Sequence, residues 1–236
     1  AQSWPFARIR NVGKALDGTF NDAVLAMCAG ALRRYLQKHG ELPRHSLKAM
    51  VPVSLRREGD IDSSNAVGAI SADLATNVQD PGRRFTAIQA SMRAGKSLFQ
   101  GMNAQESELV MQLMQMPGLL LIPLGLIARF PPYSTVISNV PGPRQPMFWD
   151  GARLDGIYPA SIVSEGVALN ITLISYDKNV DFGIMACRRT LPQVQRLIEY
   201  MEDSLAELED AAGLHTPQAR RARGKKAPAR ARRGKS

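Results

Sequence analysis

The sequence predicts an α+β, or mixed α/β, fold in which helices flank a mixed sheet. Residues 167–176 and 180–187 are rich in β-branched and aromatic residues, and residues 176–179 supply a turn between them. Apolar residues recur at helical spacing after Asn21 and again over residues 194–208. Strands that meet in hairpins beside separate helices favour this class over a doubly wound sheet.

The first long helix is predicted to begin at Asn21 and to end near Gly40. Asn21 is a preferred N-cap residue, and Asp22 places a negative charge in the first turn, where the helix dipole stabilises it. The apolar side chains that follow share one face and predict that this face is buried. They are Val24, Cys28, Leu32 and Tyr35.

Two strands and two helices follow. An alternating apolar pattern predicts a strand over residues 47–54, and residues 65–74 form the next predicted strand. Residues 80–98 begin with Asp-Pro, a cap followed by proline at the first helical position, and so predict a helix. A methionine-rich helix is predicted over residues 105–116.

A β-branched run over residues 133–140 predicts a strand that ends in a stiff turn. Pro141, Gly142 and Pro143 shape this turn, because proline fixes φ and glycine tolerates values that other residues avoid. Ser138 and Asn139, two polar residues at this strand end, suit the floor of a binding site.

The remaining chain is predicted to contain a further strand, the hairpin and a final helix. Residues 154–163 form the further strand before the hairpin. Thr190 and Gln193 match a capping box and predict the start of the last helix, which stops before Gly213.

The net charge of +9 is concentrated at the carboxy-terminal end. Residues 216–236 hold nine Lys and Arg and no acid, so the rest of the chain has equal numbers of basic and acidic residues. A basic tail over residues 213–236 is predicted to be disordered, because it has too little apolar surface to fold. The tail could bind an anionic membrane or lipid-droplet surface, bind nucleic acid, or act as a solubilising end. The absence of aromatics among its charges argues against single-strand binding.

The two cysteines, Cys28 and Cys187, form neither a CxxC pair nor a disulfide framework. Both are expected to be small buried residues, which suits a reducing cytoplasm. The apolar run over residues 118–128 is too short to span a bilayer and contains Pro123 and Gly125. We therefore expect a cytoplasmic chain, peripheral at a membrane or lipid droplet where the tail binds, with no metal site.

Three motifs in order resemble the carboxy-terminal half of the bacterial wax ester synthase/diacylglycerol acyltransferase family. They are FNDAVLA from Phe20, VPVSLR from Val51 and SNVPGP from Ser138. That family belongs to the CoA-dependent acyltransferase superfamily, with chloramphenicol acetyltransferase and peptide-synthetase condensation domains. The resemblance covers residues 16–208 and implies a chloramphenicol-acetyltransferase-like lobe.

The resemblance also implies a reaction and site residues. A diacylglycerol or fatty-alcohol hydroxyl attacks an acyl-CoA co-substrate, with no bound cofactor, and a positioned base is needed because an alcohol is a weak acid. Asn21, Asp22, Ser138 and Asn139 are implied to line the active site. Asp181 begins a segment that resembles the start of the DFGWG element in related acyltransferases, and we assign it no catalysis. Candidates for an acyl tunnel, with core filling as the alternative, are Met111, Met114, Leu120 and Leu121.

The family's catalytic motif, HHxxxDG, lies in its amino-terminal half, and this chain has no adjacent histidines. We expect its three histidines, His39, His45 and His215, to be solvated. The chain is therefore predicted to be half an enzyme, whether a fragment, a proteolytic product or one part of a split gene. It is expected to be inactive alone and to need the HHxxxDG lobe as its partner.

Residues 1–17 are assigned to an interdomain connection and residues 18–212 to the acyltransferase lobe. One alternative is a non-catalytic acyl-binding or regulatory module. A basic-tailed nucleic-acid binder is another, against which the neutral body argues.

Overall fold

The computed structural model describes residues 1–54, 67–99, 101–102, 104–127, 129 and 131–214. The strands are β1 (Gln2–Pro5), β2 (Lys48–Ser54), β3 (Val67–Asp73), β4 (Thr135–Val140), β5 (Phe148–Trp149), β6 (Ala152–Arg153), β7 (Leu169–Tyr176) and β8 (Asn179–Ala186). The helices are α1 (Phe6–Ala15), α2 (Phe20–Lys38), α3 (Pro81–Ser97), α4 (Ala104–Leu121) and α5 (Arg196–Ala211).

Six strands form one mixed sheet in the order β1-β8-β7-β4-β2-β3. β4 lies at the centre and pairs in parallel with β7 and β2, whereas the other pairs are antiparallel. β7 and β8 form the predicted hairpin, in which Tyr176 pairs with Asn179 across a two-residue turn. The prediction of a mixed sheet with flanking helices is confirmed.

One face of the sheet packs on helices. Successive strand residues point to opposite faces, so Ile137, Ile171 and Leu173 share a face, and all three belong to the main apolar core. α2 supplies much of that core and also packs against α1, α3 and α5. Burial of this face is the main contribution to the stability of the lobe.

The opposite face, which we call the second face, is covered differently. Residues 154–163, here called the strap, cross it and are held by side chains of the sheet. The Ile157 amide donates to Asp181 Oδ2 at 2.7 Å, and the hydroxyls of Ser161 and Thr172 lie 2.7 Å apart. Asn170 Nδ2 donates to the carbonyl of Ile162 at 3.1 Å.

The prediction of a strand over residues 154–163 is therefore wrong. These residues form no strand, because their polar partners are side chains that rise from β7 and β8 instead of a neighbouring backbone. Gly183 permits the close approach, since a Cβ at this position would lie 1.6 Å from the Pro159 carbonyl oxygen.

The predicted start of α2 is also corrected. Thr19, not Asn21, is the N-cap, and helix α2 begins at Phe20. The Thr19 side chain accepts from the Asp22 amide, while Asp22 Oδ2 accepts from the Thr19 amide at 2.8 Å. This reciprocal capping box stabilises the end more than a single cap does.

The last helix begins later than predicted. α5 starts at Arg196 with no side-chain cap, so the expected capping box of Thr190 and Gln193 is wrong. Gln193 has φ 54°, a left-handed conformation that a helix cannot contain. The segment from Thr190 to Gln195 forms turns instead.

Residues 1–17, for which no regular structure is predicted, contain β1 and α1. β1 pairs with β8, and Trp4 packs edge-on against Phe182 with ring centroids 5.0 Å apart. Arg8 of α1 forms ion pairs with Glu202 and Glu209 of α5. The assignment of residues 1–17 to an interdomain connection stays a prediction.

Candidate functional site

The residues predicted to line an active site lie on two elements, α2 and β4. Asp22 is buried, and its Oδ2 also accepts from the Thr19 hydroxyl at 2.7 Å, so its carboxylate serves the helix cap. Asn21 is half-buried, and in the described part of the chain its side chain makes no hydrogen bond. Of this pair, Asn21 is thus the residue that is available to a ligand.

Ser138 and Asn139 occupy the end of β4 and point to opposite faces. Ser138 pairs with Thr172 on the second face, whereas Asn139 pairs with Leu173 on the helix-packed face. Both side chains are half-buried and, among the described residues, have no hydrogen-bonding partner. Half-buried polar groups without partners can bind a polar group of a ligand or of another protein.

The hydrogen bonds of α2 relate it to the start of β2. Arg33, in the second half of α2, donates to the Thr76 carbonyl at 2.7 Å, and Thr76 in turn accepts from the amide of Leu47, just before β2. The last part of α2 is therefore near the start of β2, and β2 is parallel to β4. The start of α2 contacts α3, where Gln89 Nε2 donates to the Asp17 carbonyl at 2.6 Å. No hydrogen bond between described atoms joins the pairs.

The turn after β4 is fixed against the neighbouring hairpin. A Cβ on Gly142 would lie 2.1 Å from the Ser175 carbonyl oxygen, so only glycine fits without movement. The Pro143 carbonyl accepts from the Asp177 amide at 3.1 Å. Pro141 is exposed beside them. These contacts hold the end of β4 in a defined position.

A cavity of about 530 Å³ opens on the second face beside the start of β4. Its wall is mainly apolar and comes from β2, β3, the end of α4 and the segment before β7. Tyr133, which lines the cavity, precedes Ser138 by five residues, or roughly 16 Å along an extended strand. The lining residues are Met50, Ala69, Ile70, Ser71, Gly118, Ile122, Ile127, Pro132, Tyr133, Ser164, Glu165, Gly166 and Val167.

The predicted acyl-tunnel residues are all on α4. Leu121 is half-buried, whereas Leu120 is 65% exposed and lies on the outer side of the helix. The side chains of Met111 and Met114 lie outside the described part of the structure. From this region Gly118, Ile122 and Ile127 line the cavity, and periodicity alone did not identify them.

A short hairpin, β5 and β6, presents aromatic side chains to solvent. Trp149 is 86% exposed, and Phe148 beside it is also exposed. The base of the hairpin is fixed by the buried Tyr176, whose hydroxyl accepts from the Met147 amide at 2.9 Å and donates to the Leu154 carbonyl at 2.8 Å. We call the exposed Met147, Phe148, Trp149 and Tyr158 the aromatic face.

The histidines and cysteines of the described residues do not line the cavity on the second face. His39 and His45 are exposed, as predicted, and His215 lies outside the described residues, as does the rest of the basic tail. Cys28 is buried as predicted, and its burial raises the pKa of the thiol to about 12. The prediction that Cys187 is buried is wrong, because it follows β8 and is only half-buried. A hydrogen bond from the Thr190 side chain, followed by nearby backbone amides, lowers the pKa of Cys187.

The described residues contain no group of three or more His, Cys, Asp or Glu side chains that could hold a metal ion. None of the helices in this part of the chain combines the length and the apolar character needed to cross a membrane.

Comparison with known proteins identifies the family. The WS/DGAT C-terminal domain matches residues 63–209. A Mycobacterium tuberculosis protein named as a diacylglycerol O-acyltransferase is 48% identical over 215 residues, which are 91% of this chain and 48% of the relative. The O-acyltransferase WSD of Acinetobacter baylyi is 44% identical over 205 residues, covering 87% of this chain and 44% of the relative.

A solved structure agrees with these relatives. The wax ester synthase/diacylglycerol acyltransferase from Marinobacter aquaeolei superposes with a TM-score of 0.81 at 43% identity, over 90% of this chain and 48% of that chain. The chain thus spans about half the length of the relatives that it matches. The resemblance drawn from the three motifs is confirmed, and the chain belongs to the wax ester synthase/diacylglycerol acyltransferase C-terminal domain family.

Proposed function

We propose that this chain is the carboxy-terminal lobe of an acyl-CoA-dependent O-acyltransferase that forms triacylglycerol, wax esters or both. The apolar cavity beside β4 is the observation that supports this most directly in a member of the family. The cavity would hold a hydrocarbon chain, since it is apolar and enclosed on several sides. The polar end of β4 lies further along the same strand, at a place suited to the reacting head group.

The proposed reaction is acyl transfer from a thioester to an alcohol. The hydroxyl oxygen of diacylglycerol or a long-chain alcohol attacks the thioester carbonyl, the carbon–sulfur bond breaks, and CoA leaves as the thiol. A base must take the hydroxyl proton, and this chain has no histidine pair for that task. The base is therefore assigned to a second lobe that carries HHxxxDG.

The aromatic face is the proposed docking surface for that lobe. Exposed Phe, Trp and Tyr side chains are enriched at the centres of protein interfaces, and here a rigid hairpin presents them. Ser138 and Asn139 would then lie between the lobes, where an unpaired amide or hydroxyl can orient a substrate or stabilise the oxyanion.

Reconstitution with the HHxxxDG lobe of a relative tests the proposal. We expect no CoA release from palmitoyl-CoA with hexadecanol or diacylglycerol for the chain alone, and turnover when the second lobe is added. Asn139→Ala should lower this activity by about one to three orders of magnitude, the range for a lost polar donor. Asn77→Ala, at an exposed position away from β4, is the matched control.

A non-catalytic acyl-binding module is the second candidate, because the cavity alone could bind an acyl chain. Binding of a fluorescent fatty acid without turnover in any reconstituted pair would favour this module. Turnover by the chain alone, abolished by a substitution within it, would show instead that it carries its own base.

The basic tail is proposed to bind anionic lipid surfaces. Nine basic residues without an acid attract such a surface at about 1 kcal/mol each. Removing residues 216–236 should weaken binding to phosphatidylglycerol vesicles, and salt should have the same effect on the intact chain. Equal vesicle binding with and without these residues would leave a solubilising role, and tight binding to duplex DNA would favour a nucleic-acid partner.

A further inference from the structure

The apolar cavity on the second face has a single charged residue in its wall. Of the described residues that line it, Glu165 is the one with an acidic or basic side chain. Its carboxylate forms no hydrogen bond or ion pair with any described residue. The other polar side chains of the wall are the neutral hydroxyl groups of Ser71, Tyr133 and Ser164, which also have no described partner. The cavity therefore combines an apolar wall with three neutral hydroxyls and one unpaired negative charge.

A tight turn holds Glu165 at this wall. The Ser164 amide donates to the Val167 carbonyl at 3.3 Å, and the Val167 amide donates to the Ser164 carbonyl at 2.9 Å. Glu165 and Gly166 are the two central residues of this turn, and Gly166 has φ 81°, which glycine adopts without strain. A Cβ on Gly166 would lie 3.1 Å from the carbonyl oxygen of Ile127, another lining residue, so the turn packs closely on the cavity wall. The backbone around Glu165 is thus fixed beside the cavity.

The charge of Glu165 is close enough to act on any group inside the cavity. A sphere with the volume of this cavity is roughly 10 Å across, which is about one Debye length at 0.1 M salt. A carboxylate bound inside would be repelled by Glu165 and would lose its hydration without gaining a cation. A hydroxyl, an ester or a thioester has no charge to be repelled. A hydroxyl can also donate to the Glu165 carboxylate, and all three groups can accept from the neutral hydroxyls of the wall.

We propose that Glu165 makes the cavity selective for uncharged lipid, so that the cavity binds the chain of an alcohol, an ester or a thioester and rejects a free fatty acid. This selectivity rests on the proposed acyl-transfer function, in which both substrates present an uncharged group. The phosphates of CoA do not conflict with it, because the pantetheine arm separates them from the thioester and leaves them outside a cavity of this size. A fatty acid released by hydrolysis of the thioester would then compete poorly with the substrates.

Lipid binding to the full chain tests this selectivity without catalysis. The probes are pyrene-labelled hexadecanoic acid and its methyl ester, compared at a pH at which the acid is ionised. Glu165→Gln should tighten binding of the acid about three- to tenfold, the range for removing one like charge up to about 10 Å away in a medium between protein and water. Binding of the ester should not change. Raising the salt to 1 M should narrow the difference between the parent chain and this variant, because the repulsion is screened.

Three further variants separate the charge from the shape of the side chain. Glu165→Asp retains the charge and should bind the acid as weakly as the parent chain does. Glu165→Lys should bind the acid more tightly than the Gln variant. Glu41→Gln is the matched control, because it removes one negative charge at an exposed position that does not line the cavity, and it should leave both affinities unchanged. All of the variants keep the basic tail, so its attraction for the acid cancels in the comparison.

The outcomes distinguish this proposal from the acyl-transfer function. Equal acid binding by the parent chain and the Glu165→Gln variant would overturn the selectivity, as would equal tightening by Glu41→Gln. Gly118→Ile should weaken binding of the ester, and an unchanged ester affinity would place the probe outside the cavity and refute the assignment. An inactive reconstituted enzyme whose lobe still rejects the acid through Glu165 would reject acyl transfer and retain the selectivity. An active enzyme that fatty acid inhibits equally with Glu165 or Gln at this position would do the opposite.

Discussion

Gly183→Ala provides a sensitive test of how the strap is held on the second face. The added methyl carbon would lie 1.6 Å from the Pro159 carbonyl oxygen and 2.8 Å from its carbon, far inside contact distance. The obstructing atoms are backbone, so no side-chain rotation can relieve the contact. We expect the strap to move away from β8 around Pro159.

The magnitude follows from the hydrogen bonds that this movement breaks. Three bonds between the strap and the sheet are at risk, those of Asp181, Thr172 and Asn170. At about 0.5–1.5 kcal/mol each, their loss lowers the free energy of unfolding by roughly 1.5–4.5 kcal/mol. For a domain of this size, each kcal/mol shifts the melting temperature by about 2–4 °C, so we expect a fall of roughly 3–18 °C.

Thermal unfolding of the full chain measures this change, with urea denaturation as a second method. Gly82→Ala in the first turn of α3 is the control, because its new Cβ would have only Asp80 Oδ1 nearby, at 3.4 Å. The control should melt at the temperature of the parent chain or slightly above it. If Gly183→Ala melted within about 2 °C of the parent chain, the strap would not be held as described.

The capping box, the cavity and the two thiols give further predictions. Asp22→Ala should cost about 1–2 kcal/mol in urea unfolding, whereas Asn21→Ala should cost little, and equal costs would contradict the assignment of Thr19 as N-cap. Gly118 lines the cavity and nothing lies within 4 Å of an added Cβ, so the side chain of Gly118→Ile has room to enter and narrow the cavity. In the reconstituted enzyme, competition between acyl-CoA substrates should then shift toward shorter acyl chains, and an unchanged preference would argue against an acyl site in this cavity. In the native chain a thiol reagent should modify Cys187 alone, with a pH midpoint below the usual thiol pKa, and should modify Cys28 only after unfolding. Similar modification rates for the two thiols in the native chain would contradict the difference in their burial.

Local chemistry in the sequence predicted several elements correctly, although the capping box expected at Thr190 and Gln193 did not form. The β7–β8 hairpin, the Asp80 cap of α3 and the strand before the SNVPGP turn all appear as predicted. The N-cap of α2 was missed although the sequence contains it: Thr19 with Asp22 three residues later is a capping box, but Asn21 is individually a better cap.

Other features depend on tertiary contacts that no local pattern shows. The strap was predicted to be a strand from its apolar residues, yet the side chains that hold it, Asp181, Thr172 and Asn170, rise from β7 and β8. The inward and outward sides of α4 were also not predicted, because leucine and methionine occur on both. Ser161, Thr172 and Asn170 form a hydrogen-bonded cluster that was not predicted. Isolated Ser, Thr and Asn residues have no sequence pattern that indicates such a cluster.

β1 protects the sheet from uncontrolled association. Its four residues pair with residues 179–182, the first half of β8. Trp4 also donates to Glu202 at 2.7 Å, which ties the strand to α5. A version of the lobe that began at α2 would expose the eight-residue strand β8 as a free edge, with Phe182 uncovered beside it. Exposed edges of this length recruit strands from other molecules. Such a shortened lobe should form aggregates in which β8 adds strands from neighbouring copies, while the lobe that retains β1 stays dispersed.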